Sequence, residues 1–185
     1  MQKLIRPSIA ILLSSVILFG GVAPPSTPIV TKPLLTRVGY NQLKSDDKKQ
    51  VDCLADNIYF EARQEPVEGQ MAVAFVTLNR VQSGKFPETV CGVVKQRDRK
   101  VCQFSWWCSN PTKNQAVHRK FGDWDTYRQV RELATHVFVN YEKMPDVTNG
   151  ALYYHAEYVP KRALGVRNIK QTVQIGQHIF YRNLI

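Results

Sequence analysis

Apolar residues recur every three or four positions in three parts of the chain, and each run predicts a helix. The first run follows Ser45 and Asp46, either of which can cap it, and consists of Val51, Leu54, Ala55, Ile58, Tyr59 and Ala62. It ends before Pro66, because a residue that precedes proline is pushed out of the helical region. A second helix is predicted from about Pro66 to Gln82. Its segment "MAVAFVTL" is apolar nearly all round, which is typical of a helix in the middle of a domain.

The remaining pattern predicts one more long helix and a small sheet. The helix covers about Thr126 to Tyr141. After Gly150, "ALYYHA" and "HIFYR" are rich in β-forming residues, and "QIGQ" between them indicates a turn. Between the second and third helices we expect a loop in "SGKFPETV", a short helix or turn in "TVCGVVKQ", and an irregular stretch from Asp98 to Thr112. The chain is therefore expected to form an α+β domain that is mainly helical, with a small C-terminal β-sheet.

The first residues have the composition of an export signal. Lys3 and Arg6 precede an apolar stretch from Ile9 to Ala23, too short for a typical spanning helix, and no acidic residue occurs before Asp46. We assign residues 1–23 to a signal peptide. Pro24 disfavours cleavage after Ala23, so a signal anchor that stays in the membrane is the alternative.

The segment that follows, residues 24–44, is rich in proline and threonine and has little periodicity, as in a linker. The folded domain is expected to cover residues 45–185. An exported chain of this kind acts in the periplasm, either free or anchored to the inner membrane through its N-terminal segment.

Charge limits the partners of this domain. The formal net charge is +10, so the protein attracts polyanions such as nucleic acid, an anionic membrane surface or an acidic cell wall. Nucleic-acid modules interleave basic residues with aromatic platforms. Here the basic run from Lys95 to Lys100 precedes the aromatic cluster, and the export signal also argues against a nucleic-acid partner.

The chain has four cysteines, Cys53, Cys91, Cys102 and Cys108. An even number in an exported chain indicates two disulfides, and sequence alone leaves three pairings open. We favour Cys102–Cys108, which closes a short loop, together with Cys53–Cys91.

Glu61 is the carboxylate that the helical pattern singles out. It follows Ile58 by three residues and Leu54 by seven, which places it at the margin of the apolar stripe of the first helix. A carboxyl group there is partly desolvated, and desolvation raises its pKa, as a general acid requires. The alternative is a structural salt bridge with Arg80 or Arg63.

Three carboxylates near Glu61 have simpler interpretations. Asp56 is expected to point away from the apolar stripe. Glu65 and Glu68 flank the turn at Pro66, where solvation and helix capping account for them.

Two further segments carry groups that sugars bind, namely aromatic faces and side-chain hydrogen-bonding groups. "CQFSWWC" places Gln103, Ser105 and Trp106 in one loop, although its two tryptophans can also fill the core, and we expect one inside and one outside. In "LYYHA", alternation along a strand puts Tyr154 and His155 on opposite faces. His155 then either lines a cleft or is satisfied within the core.

Other chemistries lack their patterns. No C-x-x-C, H-E-x-x-H or H-x-x-x-H spacing of zinc ligands occurs, and neither does a G-x-S-x-G nucleophile or a phosphate-binding glycine loop. A Cys/His nucleophile pair needs a free thiol, which two disulfides would not leave. We therefore expect no metal and no organic cofactor.

Five segments together resemble one protein family. "IYFEARQEPVEGQMAVAFVTLNRV", "FPETVCGVVKQ", "CQFSWWC", "ALYYHA" and "IGQHIFY" are similar, in the same order, to the cell wall hydrolases of the spore-cortex-lytic (SleB-like) type. They cover about Val51 to Arg182, nearly the whole expected domain. The sequence departs from the family pattern at Gln64, where the family's "EARGE" has glycine. This difference bears on the tightness of the turn before Pro66.

The resemblance implies a lysozyme-like, mainly helical fold related to lytic transglycosylases. It implies peptidoglycan glycan strands as the substrate, cleavage between N-acetylmuramic acid and N-acetylglucosamine, and Glu61 as the catalytic residue, because Glu61 is the glutamate of the "EAR" motif. Gln103, Ser105, Tyr154 and His155 are the candidates for holding the substrate, with Trp106 as a stacking platform.

The outcome of the reaction stays open at this point. A lytic transglycosylase that forms 1,6-anhydro-muramic ends needs one catalytic carboxylate, and one is what the pattern offers. A hydrolytic muramidase of the same fold and a non-catalytic peptidoglycan-binding protein are the alternatives. We expect a monomer, and the family's name does not by itself indicate sporulation.

Overall fold

A computed structural model describes residues 35–98, 101–109 and 123–184, all of which belong to one unit of the chain, Pro33–Ile185. The expected signal segment, residues 1–23, and the first part of the expected linker lie outside the described residues. Within the described ranges, no helix has the length and apolar character needed to cross a membrane.

Helices dominate the described residues. The helices are α1 (Ser45–Ala62), α2 (Val67–Gln82), α3 (Val90–Val94), α4 (Ser105–Ser109) and α5 (Trp124–Asn140). The strands are β1 (Arg97–Asp98), β2 (Val101–Cys102), β3 (Tyr153–Ala156), β4 (Ile169–Ile175) and β5 (His178–Asn183). Short 3₁₀ turns cover Tyr40–Gln42, Tyr141–Lys143 and Lys161–Leu164. The predicted α+β class, mainly helical with a small C-terminal sheet, is confirmed.

Helix α2 lies in the middle of the domain, as its apolar sequence predicts. Every side chain from Ala72 to Arg80 is buried. Helices α1 and α5 pack with α2 in the main core, where Leu54 and Val137 are fully buried. A second cluster joins α2 to the C-terminal sheet through Val76 and Phe180. Each large apolar side chain buried in this way contributes roughly 2 kcal/mol.

The C-terminal sheet has three antiparallel strands in the order β3-β5-β4. The sequence pattern predicts β3 and β5 but not β4. As an edge strand, β4 has one buried residue, Ile169, and a β-bulge between Gln171 and Val173 interrupts its alternation. The predicted "QIGQ" turn joins β4 to β5, and Gly176 occupies it with a φ of 55°.

The segment 98–112 is more regular than the sequence pattern predicts. Strands β1 and β2 pair antiparallel, and the short helix α4 carries Trp106 and Trp107. The elements were missed because strands of two residues and a helix of five are too short to display a periodicity. Residues 110–112 lie outside the described residues.

Two neighbouring residues of α2 hold the chain just before β3. Asn79 donates from Nδ2 to the carbonyl oxygen of Ala151 at 3.0 Å, and Arg80 donates from Nε to the carbonyl oxygen of Leu152 at 2.8 Å. Since β3 begins at the next residue, these bonds set the position of Tyr154 relative to the helices.

The last residues of the expected linker contact the helical domain. The backbone N–H of Thr36 donates to Asn140 Oδ1 at 2.6 Å, and Asn140 Nδ2 donates back to the carbonyl oxygen of Thr36 at 2.9 Å. Tyr40 donates its hydroxyl to Asp52 on α1 at 2.9 Å. Thr36 and Tyr40 are therefore bound to the folded unit, ahead of the first long helix at Ser45.

Both favoured disulfides form. Cys53–Cys91 links α1 to α3 across 38 residues of sequence, and Cys102–Cys108 spans six.

We predict unequal contributions of the two disulfides to stability. A disulfide that closes a longer loop removes more entropy from the unfolded chain. Replacing Cys53 and Cys91 by alanine should therefore cost about 4 kcal/mol of unfolding free energy, and replacing Cys102 and Cys108 about 2 kcal/mol. Urea unfolding of the two double variants measures this. Equal costs, or a larger cost for the short loop, would contradict the prediction.

Candidate active site

Glu61 lies in the last turn of α1, with a cavity on either side. One cavity, of about 200 Å³, is lined by Glu61, Arg80, Cys102, Gln103, Phe104, Ser105 and Tyr154. The other, of about 160 Å³, is lined by Glu61, Ala62, Gln64, Glu65, Ala156, Tyr158, Gln177 and His178. A polymer that lies across both cavities passes over the Glu61 carboxyl group.

The surroundings of Glu61 favour its neutral form. Burial raises the pKa of Glu61. The hydrogen bond from Tyr154, at 3.2 Å to Oε2, and the charge of Arg80 act in the opposite direction without cancelling the effect of burial. None of the described ion pairs joins Glu61 to Arg80 or Arg63. Arg63 instead donates to the carbonyl oxygen of Tyr59 at 3.2 Å, so a salt bridge does not account for Glu61.

Tyr154 is a neutral donor to Glu61. Burial and the neighbouring Glu61 carboxylate raise the pKa of Tyr154 well above its usual value, so its hydroxyl keeps its proton. Its ring packs against Phe180 and His178 on β5, with centroids 5.7 and 5.3 Å away. The hydroxyl group is therefore held rigidly over the carboxyl group.

Arg80 is a site residue that the sequence analysis considered only as a salt-bridge partner. Its side chain is 2% exposed and lines the cavity beside Glu61. Besides the bond to Leu152, the guanidinium lies over the rings of Phe86 and Phe104, at 5.1 and 5.4 Å from their centroids. The signal was present in the sequence, because Arg80 is the one charged residue that follows the apolar run "MAVAFVTL" within α2.

The loop around α4 contributes its polar residues to the cavity. Gln103 and Ser105 are exposed and line it. Trp106 is half-buried, and its ring stacks on Phe60 at 4.5 Å between centroids. Trp107 is half-buried as well, so the expectation of one tryptophan inside and one outside is wrong.

His155 lies away from Glu61. It is 8% exposed, and its Nε2 lies 3.0 Å from the hydroxyl oxygen of Tyr181, a hydrogen bond on the face of β3 opposite to Tyr154. Its Nδ1 lies 2.8 Å from the carbonyl oxygen of Ala156. His155 lines neither cavity beside Glu61, so the interpretation as a residue satisfied within the core applies.

Glu65 is not the solvated residue that the sequence suggested. Its side chain is 9% exposed, and its Oε2 accepts a hydrogen bond from the backbone N–H of Gln177 at 3.0 Å. His178 Nδ1 lies 3.9 Å from Oε1, beyond hydrogen-bonding distance, and burial lowers the pKa of His178. Glu65 therefore anchors the β4–β5 turn to the link between α1 and α2.

The turn itself does not depend on glycine at position 64. Gln64 is outside the left-handed φ region, which among the described non-glycine residues only Asn149 and Asn168 occupy. The departure from "EARGE" therefore does not strain the backbone next to Glu61.

Asp56 is a second carboxyl group with a perturbed pKa, but it lies elsewhere. Burial raises the pKa of Asp56 to about 6, although the hydrogen bond from Tyr127, at 2.9 Å, lowers it. This bond connects α1 to α5, and Asp56 lines neither cavity beside Glu61. Its role is in helix packing.

Comparison with known proteins identifies the family of this chain. The sequence profile described as Cell Wall Hydrolase matches residues 64–181, more than half of the chain. The chain belongs to this family. Glu61 lies three residues before the start of that match.

Similar proteins include three spore cortex-lytic enzymes. The one from Bacillus cereus is 32% identical over 162 residues, which is 87% of this chain and 52% of that protein. The one from Oceanobacillus iheyensis is 32% identical over 83% of this chain and 45% of that protein. The one from Bacillus subtilis strain 168 is 34% identical over 69% of this chain and 35% of that protein. The chain spans about half the length of the first of these relatives, or less for the others.

A solved structure is also similar. The catalytic domain of the germination-specific lytic transglycosylase SleB from Bacillus anthracis is 30% identical, with a TM-score of 0.50. The alignment covers 77% of this chain and 98% of that domain. The similarity therefore covers a whole catalytic domain.

We predict that Gly176 is required for the Glu65 anchor. A Cβ atom at this position would lie 1.8 Å from Glu65 Oε2. Gly165 has a similar φ, 64°, but its Cβ would meet nothing within 4 Å. Gly165→Ala should therefore cost only the backbone term of about 1 kcal/mol, and Gly176→Ala should cost clearly more.

The extra cost should disappear when Glu65 is also replaced by alanine, because the clash is with its side chain. Urea unfolding of the two single variants and the Glu65→Ala/Gly176→Ala pair measures this. Equal costs at the two glycines would contradict the anchor.

Proposed function

We propose that this chain is a peptidoglycan-cleaving glycosidase that acts as a lytic transglycosylase with Glu61 as its catalytic residue. The bond cleaved is the β-1,4 linkage between N-acetylmuramic acid and N-acetylglucosamine. One observation carries the proposal: a half-buried carboxyl group with a raised pKa lines two cavities. Membership of the cell wall hydrolase family and the similarity to a lytic transglycosylase domain support it.

The reaction follows from the surroundings of Glu61. The neutral carboxyl group donates its proton to the glycosidic oxygen, and the bond to the muramyl C1 breaks with development of an oxocarbenium-like centre. Glu61, now a carboxylate, removes the proton from the C6 hydroxyl of the same sugar. The C6 oxygen then bonds to C1, which closes a 1,6-anhydro ring and leaves Glu61 protonated for the next cycle.

The supply of carboxylates supports ring closure over hydrolysis. Hydrolytic glycosidases use two carboxyl groups that flank the bond. In the described residues of the two cavities, Glu65 is the only carboxylate besides Glu61, and one of its oxygens is bound by the N–H of Gln177. A mechanism that needs one free carboxylate suits this site better than one that needs two.

Polar residues of the first cavity are suited to hold the sugars. Gln103 and Ser105 present an amide and a hydroxyl group beside Glu61, and Tyr154 holds the carboxyl group itself. Trp106, the candidate stacking platform, lines neither cavity beside Glu61, and its half-buried ring stacks on Phe60. The basic surface suits an acidic polymer, since peptidoglycan carries carboxylates on its peptides.

We further propose that the chain is exported by residues 1–23 and acts on the wall outside the inner membrane. A periplasmic enzyme and a phage lysis protein share this chemistry. Release of the activity by osmotic shock would support a free periplasmic form, and retention with the membrane fraction would support the anchor.

Glu61→Gln should abolish glycan cleavage, because an amide cannot donate this proton, while the fold stays intact. The matched control is Glu68→Gln, since Glu68 is exposed on the neighbouring helix. Clearing of purified sacculi measures the activity. Full activity of Glu61→Gln would end the assignment, and binding of the wild type without any clearing would support a non-catalytic wall-binding protein.

Mass spectrometry of the released muropeptides separates the two chemical outcomes. Ring closure adds no water, so its products are lighter by one water molecule than those of hydrolysis. We expect 1,6-anhydro ends. Products with reducing muramic ends alone would instead identify a hydrolytic muramidase.

The activity of Tyr154→Phe should persist to higher pH than that of the wild type. The hydrogen bond from Tyr154 stabilises the Glu61 carboxylate, so its loss raises the pKa of Glu61 further. Cleavage requires the protonated form and declines as pH rises through that pKa, so the declining limb should move upward. The pH dependence of sacculus clearing measures this, and an unmoved or lowered limb would contradict it.

A further inference from the structure

Arg80 is a buried cation that the polypeptide holds in a fixed place. Its Nε donates to the carbonyl oxygen of Leu152, and the rings of Phe86 and Phe104 lie on the guanidinium. These contacts fix the plane of the group next to the cavity that contains Glu61.

Among the described residues, Arg80 has no acidic partner within salt-bridge distance. None of the described ion pairs includes Arg80, and its Nη1 has no hydrogen-bond partner among the described residues. An arginine keeps its proton in a protein even when it is buried. Leaving its charge without an ion pair destabilises the fold. Within the described residues, the guanidinium contacts Leu152 and the two aromatic rings, none of which carries a charge.

We propose that Arg80 is a positioning residue whose charge stabilises the carboxylate that Glu61 becomes when it gives up its proton. This inference rests on the proposed function and deepens it. Arg80 acts through Glu61 and is not itself assigned a contact with the reacting atoms.

The separation of the two groups is essential to this role. A direct ion pair would keep Glu61 permanently ionised and leave the site without an acid. The tether to Leu152 and the aromatic walls hold Arg80 back from that contact. At longer range the cation supports the carboxylate during turnover but does not remove the proton beforehand.

The other groups around Glu61 do not supply this charge. Tyr154 on β3 donates a hydrogen bond but is neutral. On the opposite side, Glu65 is an acid, and burial lowers the pKa of His178 on β5. The α4 loop contributes Gln103 and Ser105, which are uncharged. Among the described residues of the two cavities, Arg80 is therefore the cation that faces Glu61.

Two substitutions separate charge from shape. In Arg80→Gln the cation is lost, and the declining limb of the pH–activity profile should move upward by about one pH unit, the lower end of what a nearby opposite charge produces. Arg80→Lys keeps a cation but loses the bond to Leu152, so it should move the limb less than Arg80→Gln does. Arg63→Gln, which removes an exposed arginine two residues from Glu61, is the matched control and should also leave the limb in place.

A readout without substrate makes the test independent of the proposed reaction. The carboxyl carbon of Glu61, followed by NMR in the same variants, should titrate at higher pH in Arg80→Gln, with a smaller shift in Arg80→Lys and none in Arg63→Gln. Such a shift without any glycan cleavage would support the role of Arg80 and refute the proposed function. Unshifted titration in a folded Arg80→Gln variant would refute the role of Arg80 alone.

A wild-type measurement covers the case in which Arg80→Gln does not fold. In the wild type, the NMR chemical shift of Arg80 Nε should change with pH at the same midpoint as that of the Glu61 carboxyl carbon. This change should be absent in Glu61→Gln. An Arg80 signal that does not follow Glu61 would overturn the proposal.

Discussion

The partial burial of the Glu61 carboxyl group is the constraint on which the rest of this site depends. Burial works against the ionised form, and Arg80, the cation that lines the same cavity, forms none of the described ion pairs. The free energy of this arrangement comes from the surrounding core. Helix α2 is buried from Ala72 to Arg80. It packs against α1, which carries Glu61, and holds the chain just before β3, which carries Tyr154.

The same helix connects packing to chemistry. Asn79 and Arg80 bind the carbonyl oxygens of Ala151 and Leu152, and the next residue begins the strand that brings Tyr154 to Glu61. On the far side of the carboxyl group, Glu65 ties the β4–β5 turn to the end of α1. The sheet is small, but its contacts determine both cavities that a glycan strand would occupy.

The long helices and the partial burial of Glu61 were predictable, because both follow from a periodicity that the local sequence displays. The strand β4 was not, since an edge strand with a bulge at Thr172 lacks alternation. Glu65 was misjudged for a different reason: its partner, Gln177, is 112 residues away in sequence. The place of Arg80 beside Glu61, without an ion pair, likewise depends on contacts with Leu152, just before β3, and with Phe104, which no local pattern contains.

The most direct test of this account is to titrate Glu61 of the wild-type domain by following its carboxyl carbon in NMR spectra, alongside glycan cleavage over the same pH range. The account predicts a midpoint above the ordinary range of a glutamate, coinciding with the pH at which cleavage declines. A midpoint within the ordinary range, or cleavage that persists after Glu61 has lost its proton, would contradict it.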